Sequence, residues 1–272
     1  MMTDPHNRLA LTSIGQNASH GRWRTEAMRS HRSPRLIYVG RGQGRITIAG
    51  LTSGYGANNL IYIPAGTMYG FEVGQTVFGQ VLTIPSAIAT EWPLQSEHLR
   101  LRDVAAQKEL SLHMDALERE LKSTQTGHER AAHYHAGLLA VYVQRQLALR
   151  PDAAKDARAH TAAARLVAAY TDLIERDFRS HMGVGNYAAK LGVTPTHLAR
   201  CCRQTSGKSA LSLLNDRVLF EARLMLRDTP APVRDIATTL GFGSAAYFTR
   251  AFQTQTGLTP SGFRKKGPLS AI

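Results

Sequence analysis

The spacing of apolar positions changes character once along this chain, near residue 93. Between Arg22 and Pro85, short apolar runs are punctuated by Gly and Pro, as in RLIYVGRGQGRITIAG, NNLIYIPAGTMYGFEV and TVFGQVLTIP. Runs of β-branched and aromatic residues between such breakers predict several short strands joined by turns, hence a small barrel or sandwich. GRGQG (Gly40 to Gly44) falls between two of these strands and reads as a hairpin turn rather than a phosphate cradle. After Pro93, Gly and Pro nearly vanish, and Leu110, Met114, Leu117 and Leu121 recur at helical spacing. A second helix is predicted over 128–149 and a third over 162–178, with RPDAAKDARAHT between them as a break or linker.

The chain then repeats itself. VGNYAAKLG from Val184 and VRDIATTLG from Val233 place Tyr187, Ala188 and Leu191 in register with Ile236, Ala237 and Leu240, at an offset of 49. Each short helix stops at a glycine, Gly192 or Gly241, which adopts a left-handed turn at little cost. Thr194, followed by Pro195, and Ser244 are placed to cap the next helix. The second turn holds one more residue, so Leu198, Arg200 and Cys202 match Phe248, Arg250 and Phe252 at an offset of 50. Leu198, Cys202, Phe248 and Phe252 read as core. Two helix-turn-helix units result, over about 184–207 and 233–257, joined by a long helix with Leu211, Leu214, Val218, Ala222 and Leu226 at helical spacing. Two reading helices roughly 34 Å apart would meet successive major grooves on one face of DNA.

Charge agrees with a polyanionic partner. The 272 residues carry a formal net charge of +13, and from Ser180 onward 12 Lys and Arg face 4 Asp and Glu, so +8 of that excess lies with the repeat. The first twenty residues hold no apolar core of signal-peptide length, and no run reaches the roughly 18 apolar residues of a membrane span. Cys201 and Cys202 are the only cysteines and are adjacent, which disfavours a disulfide between them and fits a reducing, cytoplasmic compartment.

At this point the residues resemble a known family. VRDIATTLGFGSAAYFTRAFQTQTGLTPSGFRK is similar to the second helix-turn-helix signature of AraC/XylS-type transcriptional regulators, and YAAKLGVTPTHLARCCRQTSGKS to the first. The wording is most similar to the branch controlling 4-hydroxybenzoate and related aromatic-acid catabolism. HRSPRLIYVGRGQGRITIAG and the strands after it look like the family's cupin-like sensing barrel. The resemblance implies an α+β chain: a barrel over 1–93, a helical dimerisation segment over 94–160, and an all-α DNA-binding domain over 161–272. It implies a homodimer on double-stranded DNA, an organic effector such as an aromatic acid, RNA polymerase as a partner, and activation rather than repression. Its DNA-contacting positions map onto Thr194, Thr196, Ala199, Arg200 and Arg203, and onto Ser244, Ala245, Ala246, Tyr247, Thr249 and Arg250.

Arg200 and Arg250 can grip guanine in two bonds or hold a phosphate, whereas the alanines offer only apolar contact. Arg217, on the long helix, suits either a phosphate or an ion pair. In the barrel, Arg22, Arg24, Arg35 and Arg45 are candidates to pair an effector carboxylate, with Tyr69 beside them. Tyr69 stands where many cupins place a histidine, so no metal or other cofactor is implied. His31 is the only histidine in 22–93, His133 and His135 do not share a helix face, and no HExxH, Walker loop or nucleophile elbow occurs; an enzyme is not expected. The competing expectation is an architectural or ligand-independent DNA-binding protein whose barrel only dimerises.

Overall fold

A computed structural model describes residues 8–15, 23–74, 76–150 and 161–265. The predicted break at RPDAAKDARAHT lies almost wholly outside the described residues. Among the described residues, the N-terminal part holds eight strands: β1 (Ala10–Ser13), β2 (Arg35–Arg41), β3 (Gly44–Ile48), β4 (Leu51–Tyr55), β5 (Asn59–Ile63), β6 (Tyr69–Glu72), β7 (Phe78–Thr83) and β8 (Glu97–Arg100). A one-turn helix, α1 (Trp23–Glu26), lies between β1 and β2. All pairings are antiparallel, in a five-stranded sheet of order β1-β7-β2-β5-β8 and a three-stranded sheet of order β4-β3-β6.

The architecture is therefore two hydrogen-bonded sheets, which, of the expected barrel or sandwich, matches the sandwich. GRGQG is correspondingly not a hairpin. It carries the chain from β2 in the larger sheet to β3 in the smaller one. Gly42 makes that crossing at φ 92°, where a side chain would also strike the Thr76 carbonyl. The larger sheet also extends past residue 93, because β8 pairs with β5 and sends Leu99 into the core. The helical texture begins only at Val104.

Alternation along β2 explains why RLIYV is nearly all apolar: both of its faces are covered. Ile37 and Val39 point between the sheets with Ile46, Ile61 and Phe71. Leu36 points the other way, onto a helical hairpin of α2 (Val104–Lys122) and α3 (His128–Ala148). Asp103 caps α2 through the Ala106 amide at 3.1 Å. The predicted stripe of Leu110, Met114 and Leu117 is buried against Leu139 and Tyr142. The Tyr142 hydroxyl donates to the Ala106 carbonyl at 2.7 Å.

Among the described residues, the C-terminal part is all helical: α4 (Ala162–Asp177), α5 (Val184–Lys190), α6 (Pro195–Ser206), α7 (Ala210–Asp228), α8 (Val233–Thr239), α9 (Ala245–Thr256) and α10 (Pro260–Lys265). Val167, Tyr170 and Ile174 of α4 complete the core of this domain. Leu211 is the exception on α7, being exposed while Leu214, Ala222 and Leu226 are buried. The sheets dock on this domain at the β3–β4 turn. Gly50, at φ 74°, sits so close to the buried Val167 of α4 that a Cβ would overlap it. Beside it, the Thr52 hydroxyl donates to the Ser206 carbonyl at the end of α6, at 3.1 Å.

Candidate nucleic-acid interface

Two copies of one local plan build the interface. In the first, Gly192 closes α5 at φ 67°, and the Thr194 hydroxyl accepts from the His197 amide at 3.2 Å to start α6. In the second, Gly241 closes α8 at φ 77°, and the Ser244 hydroxyl accepts from the Tyr247 amide at 3.1 Å to start α9. Both long helices end at left-handed glycines, Gly207 and Gly257. Leu198, Cys201 and Cys202 face the core from α6, as Phe248 and Phe252 do from α9. Burial pushes the Cys202 thiol up to about 12, which keeps it an inert apolar filler.

The opposite faces carry the predicted contact residues. Thr194, Thr196, Arg200 and Arg203 are exposed on the first unit, with Ala199 half-buried between them. Ser244, Ala246, Tyr247 and Arg250 are exposed on the second, with Ala245 and Thr249 half-buried. Within each helix these positions recur every three or four residues and so form one stripe. Among the described residues, the Arg203 and Arg250 guanidinium groups have no ion pair or side-chain hydrogen bond. Arg200 meets only the His197 ring, Nη2 to Nδ1 at 3.1 Å. Three arginines thus stand on the outward stripes without a carboxylate. By contrast Lys190 pairs with Asp177 at 2.8 Å and Lys208 with Asp216 at 2.6 Å.

Arg217 is turned inward and takes the ion-pair role. Its Nε and Nη2 bind both oxygens of Glu175 at 2.6 and 3.0 Å, Nη1 reaches Glu221 at 3.0 Å, and the group stacks on Phe178 at 3.9 Å. Burial pulls its pKa down, but the bonds and charges of Glu175 and Glu221 outweigh that and leave it raised. Arg179 also binds Glu221, at 2.7 Å. Burial opposes the ionised Glu221, yet these two arginines hold its carboxyl below the usual range.

Behind this interface a cavity of roughly 1200 Å³ lies between the sheets, the end of α4 and the flank of α7. Arg24, Arg35 and Tyr69 line it, together with Arg29 and His31. Arg45 does not reach it; that side chain lies on the surface and pairs with Glu72 at 3.1 Å. Arg22 lies outside the described residues. Arg24 spans to Asp228 on α7 at 3.4 Å. Arg35 holds Thr83 and the His31 ring. Sequence reasoning missed Arg29, a buried cation of the cavity. Its guanidinium bonds the Thr25 and Ala27 carbonyls and stacks on Tyr69 at 4.3 Å. Burial lowers its pKa, only partly opposed by Tyr69. The signal was present as one more arginine in MRSHRSPR, but nothing there tells inward from outward. Among the described residues no carboxylate pairs with Arg29 or Arg35, and no group of three His, Cys, Asp or Glu could hold a metal. Nor is any described helix long and apolar enough to cross a membrane.

Comparison with known proteins places this geometry. Residues 187–266 match the family described as "Helix-turn-helix domain". The arabinose operon regulatory protein of Salmonella typhimurium is 34% identical over 85 residues, which is 31% of this chain and 30% of that protein. The chain thus spans less than a third of that relative. The probable transcription factor PqrA of Proteus vulgaris is 33% identical over 86 residues, 32% of this chain and 70% of its own length. The solved structure of ToxT from Vibrio cholerae aligns with 97% of this chain and 98% of its own, at 10% identity and a TM-score of 0.42. With 33% identity over 70% of PqrA and the helix-turn-helix match over 187–266, the chain belongs to the AraC-type helix-turn-helix family.

Proposed function

We propose that this protein is a sequence-specific, DNA-binding transcriptional regulator that presents α6 and α9 to successive major grooves. The observation that carries this reading is the pair of outward stripes, whose Arg200, Arg203 and Arg250 have no acidic partner while the helices' other faces are fully packed. Arg200 and Arg203 make the first unit the main reader. Ala245 and Ala246 suit the second to positioning and to apolar contact with thymine methyls. Footprinting on selected DNA tests this: protection should span two adjacent major grooves. R200A should relax preference at one base pair and cost about 1–3 kcal/mol. Protection of a single groove, or unchanged preference in R200A, would remove the reading.

The regulator is effector-responsive in this proposal. The cavity joins sensing sheets to the linker helix, and Arg29 and Arg35 give it two cations without a carboxylate. A small organic anion with an aromatic body, such as an aromatic acid of the 4-hydroxybenzoate class, suits those cations and the Tyr69 ring. Its binding would favour one presentation of the reading helices. The full chain is the right subject, since Glu175, Phe178 and Arg217 supply part of the cavity wall. Melting temperature against a panel of aromatic acids, sugars and amphipathic metabolites should rise saturably for one class, reflecting about 2.7 kcal/mol of added stability at a hundredfold excess over Kd.

The cupin-like ancestry of the paired sheets, homodimerisation, contact with RNA polymerase and activation complete the proposal. For the dimer, α3 carries an exposed stripe of Tyr134, Leu138 and Val141 at helical spacing. If no class shifts the melting temperature, the ligand-independent reading gains, with the sheets serving only assembly.

A further inference from the structure

The two turn glycines of the repeat are alike in conformation and unlike in surroundings. A Cβ on Gly192 would meet open space, whereas one on Gly241 would collide with the Arg179 carbonyl oxygen and crowd the His181 amide. The second turn also holds the extra residue of the repeat, and Phe242 within it packs on the His181 ring with centroids 4.6 Å apart. His181 then meets Tyr247, at the start of α9, edge to face at 5.8 Å. Three rings therefore close into one cluster, since Phe242 also lies 5.8 Å from Tyr247.

His181 belongs to neither helix of the second unit. It follows the turn Phe178–Ser180 and stands three residues before α5, the first helix of the first unit. The turn is tied down from several sides. Arg179 binds Glu221 on α7 at 2.7 Å, Arg217 stacks on Phe178, and the Ser180 hydroxyl donates to the Asp177 carbonyl at 2.6 Å. His181 itself is held at φ 53°, a left-handed conformation uncommon for a residue with a side chain. Among the described residues, nothing at the turn of the first unit corresponds to this contact.

We propose that the segment from Phe178 to His181 is a brace between the two units, and that His181 is a positioning residue that acts through Tyr247 to set α9 relative to α6. The inference rests on the reading of α6 and α9 as DNA-reading helices. It goes beyond it by giving the second helix a support other than the linker. Phe178 and Arg179 also line the cavity, so an occupant there would press on the brace directly.

Amide hydrogen exchange on the full chain tests the brace without DNA. H181N keeps a residue that tolerates the left-handed conformation and removes the ring. Exchange at 242–247 should quicken roughly three- to tenfold, the weight of one aromatic pair, while 193–198 stays as in the parent. Equal protection in H181N and parent would overturn the proposal. Should H181N fold poorly, G192A and G241A decide instead. Both incur the left-handed penalty, but only G241A should loosen exchange across 178–182, and matching profiles would sink the brace. On a two-groove DNA site, H181N should lose second-groove protection and keep the first. Combined with Y247A it should weaken binding no further than Y247A alone; additive losses would show that His181 does not act through Tyr247. A parent that protects no second groove would refute the function, while the exchange comparison would still decide the brace.

Discussion

Arg217 is only 4% exposed, yet it carries a full charge inside the helix-turn-helix domain. A buried guanidinium is tolerable when each donor has a partner, and Glu175, Glu221 and the Phe178 ring supply them. Removing the arginine leaves two partly buried carboxylates facing each other, so R217A should lose about 3–5 kcal/mol in urea unfolding. R217M should lose nearly as much as R217A, because restoring the apolar stem still leaves both carboxylates unpaired; a much smaller loss would show that packing, and not charge pairing, governs the site. The sequence showed Arg217 on the linker helix and left it between phosphate and ion pair. It could not decide, because Glu175 lies 42 residues away and their meeting depends on how α4 packs on α7. The same limit applies to Arg29 and Arg45. Both are arginines in the strand region, and only the path of the sheets puts one in the cavity and the other in solvent. The outward placement of the stripes on α6 and α9 was legible, because there the local helix period decides which side faces out.

Helix by helix, the C-terminal domain was readable because its stop and start signals are local. Gly192, Thr194, Gly241 and Ser244 each act within a few residues of themselves. T194A and S244A should each cost about 1 kcal/mol of stability by leaving helix amides unsatisfied. The strands were legible as strands, but their assignment to two sheets was not. Pairing partners such as Arg35 and Thr83 are remote in the chain, so GRGQG looked like a hairpin and β8 like part of a helix. At the end of α4, Asp177 accepts from Arg176 and Lys190, which bring its pKa down to about 2. Glu221 is likewise held below its ordinary value. Both folded pKa values lie below the unfolded ones, so the stabilisation is complete above about pH 4–5 and disappears as pH falls through the folded values, about 2 for Asp177. Thermal melts across that window should show E221Q to be less stable than the parent at neutral pH, with the gap closing in acid. A constant gap would mean that Glu221 contributes by shape alone.

For the whole molecule, the asymmetry of charge would govern the proposed encounter with DNA. With +8 of its +13 charge after Ser180, the C-terminal domain should bind nonspecific duplex weakly and lose that binding steeply with salt. R203A should reduce the slope of log K against log salt by about 1, if Arg203 neutralises a phosphate. Fluorescence anisotropy at several salt concentrations measures this, and an unchanged slope would place Arg203 away from the backbone. The sheets touch this domain through a backbone with no side chain to spare, at Gly50 against Val167. That contact sets a rule for building hybrid regulators. A sensor borrowed from a relative and joined ahead of Ala162 keeps the valine but brings its own residue to the place of Gly50. Unless that residue is also glycine, the two halves will be held apart, and a hybrid that binds both its ligand and its DNA will fail to connect them.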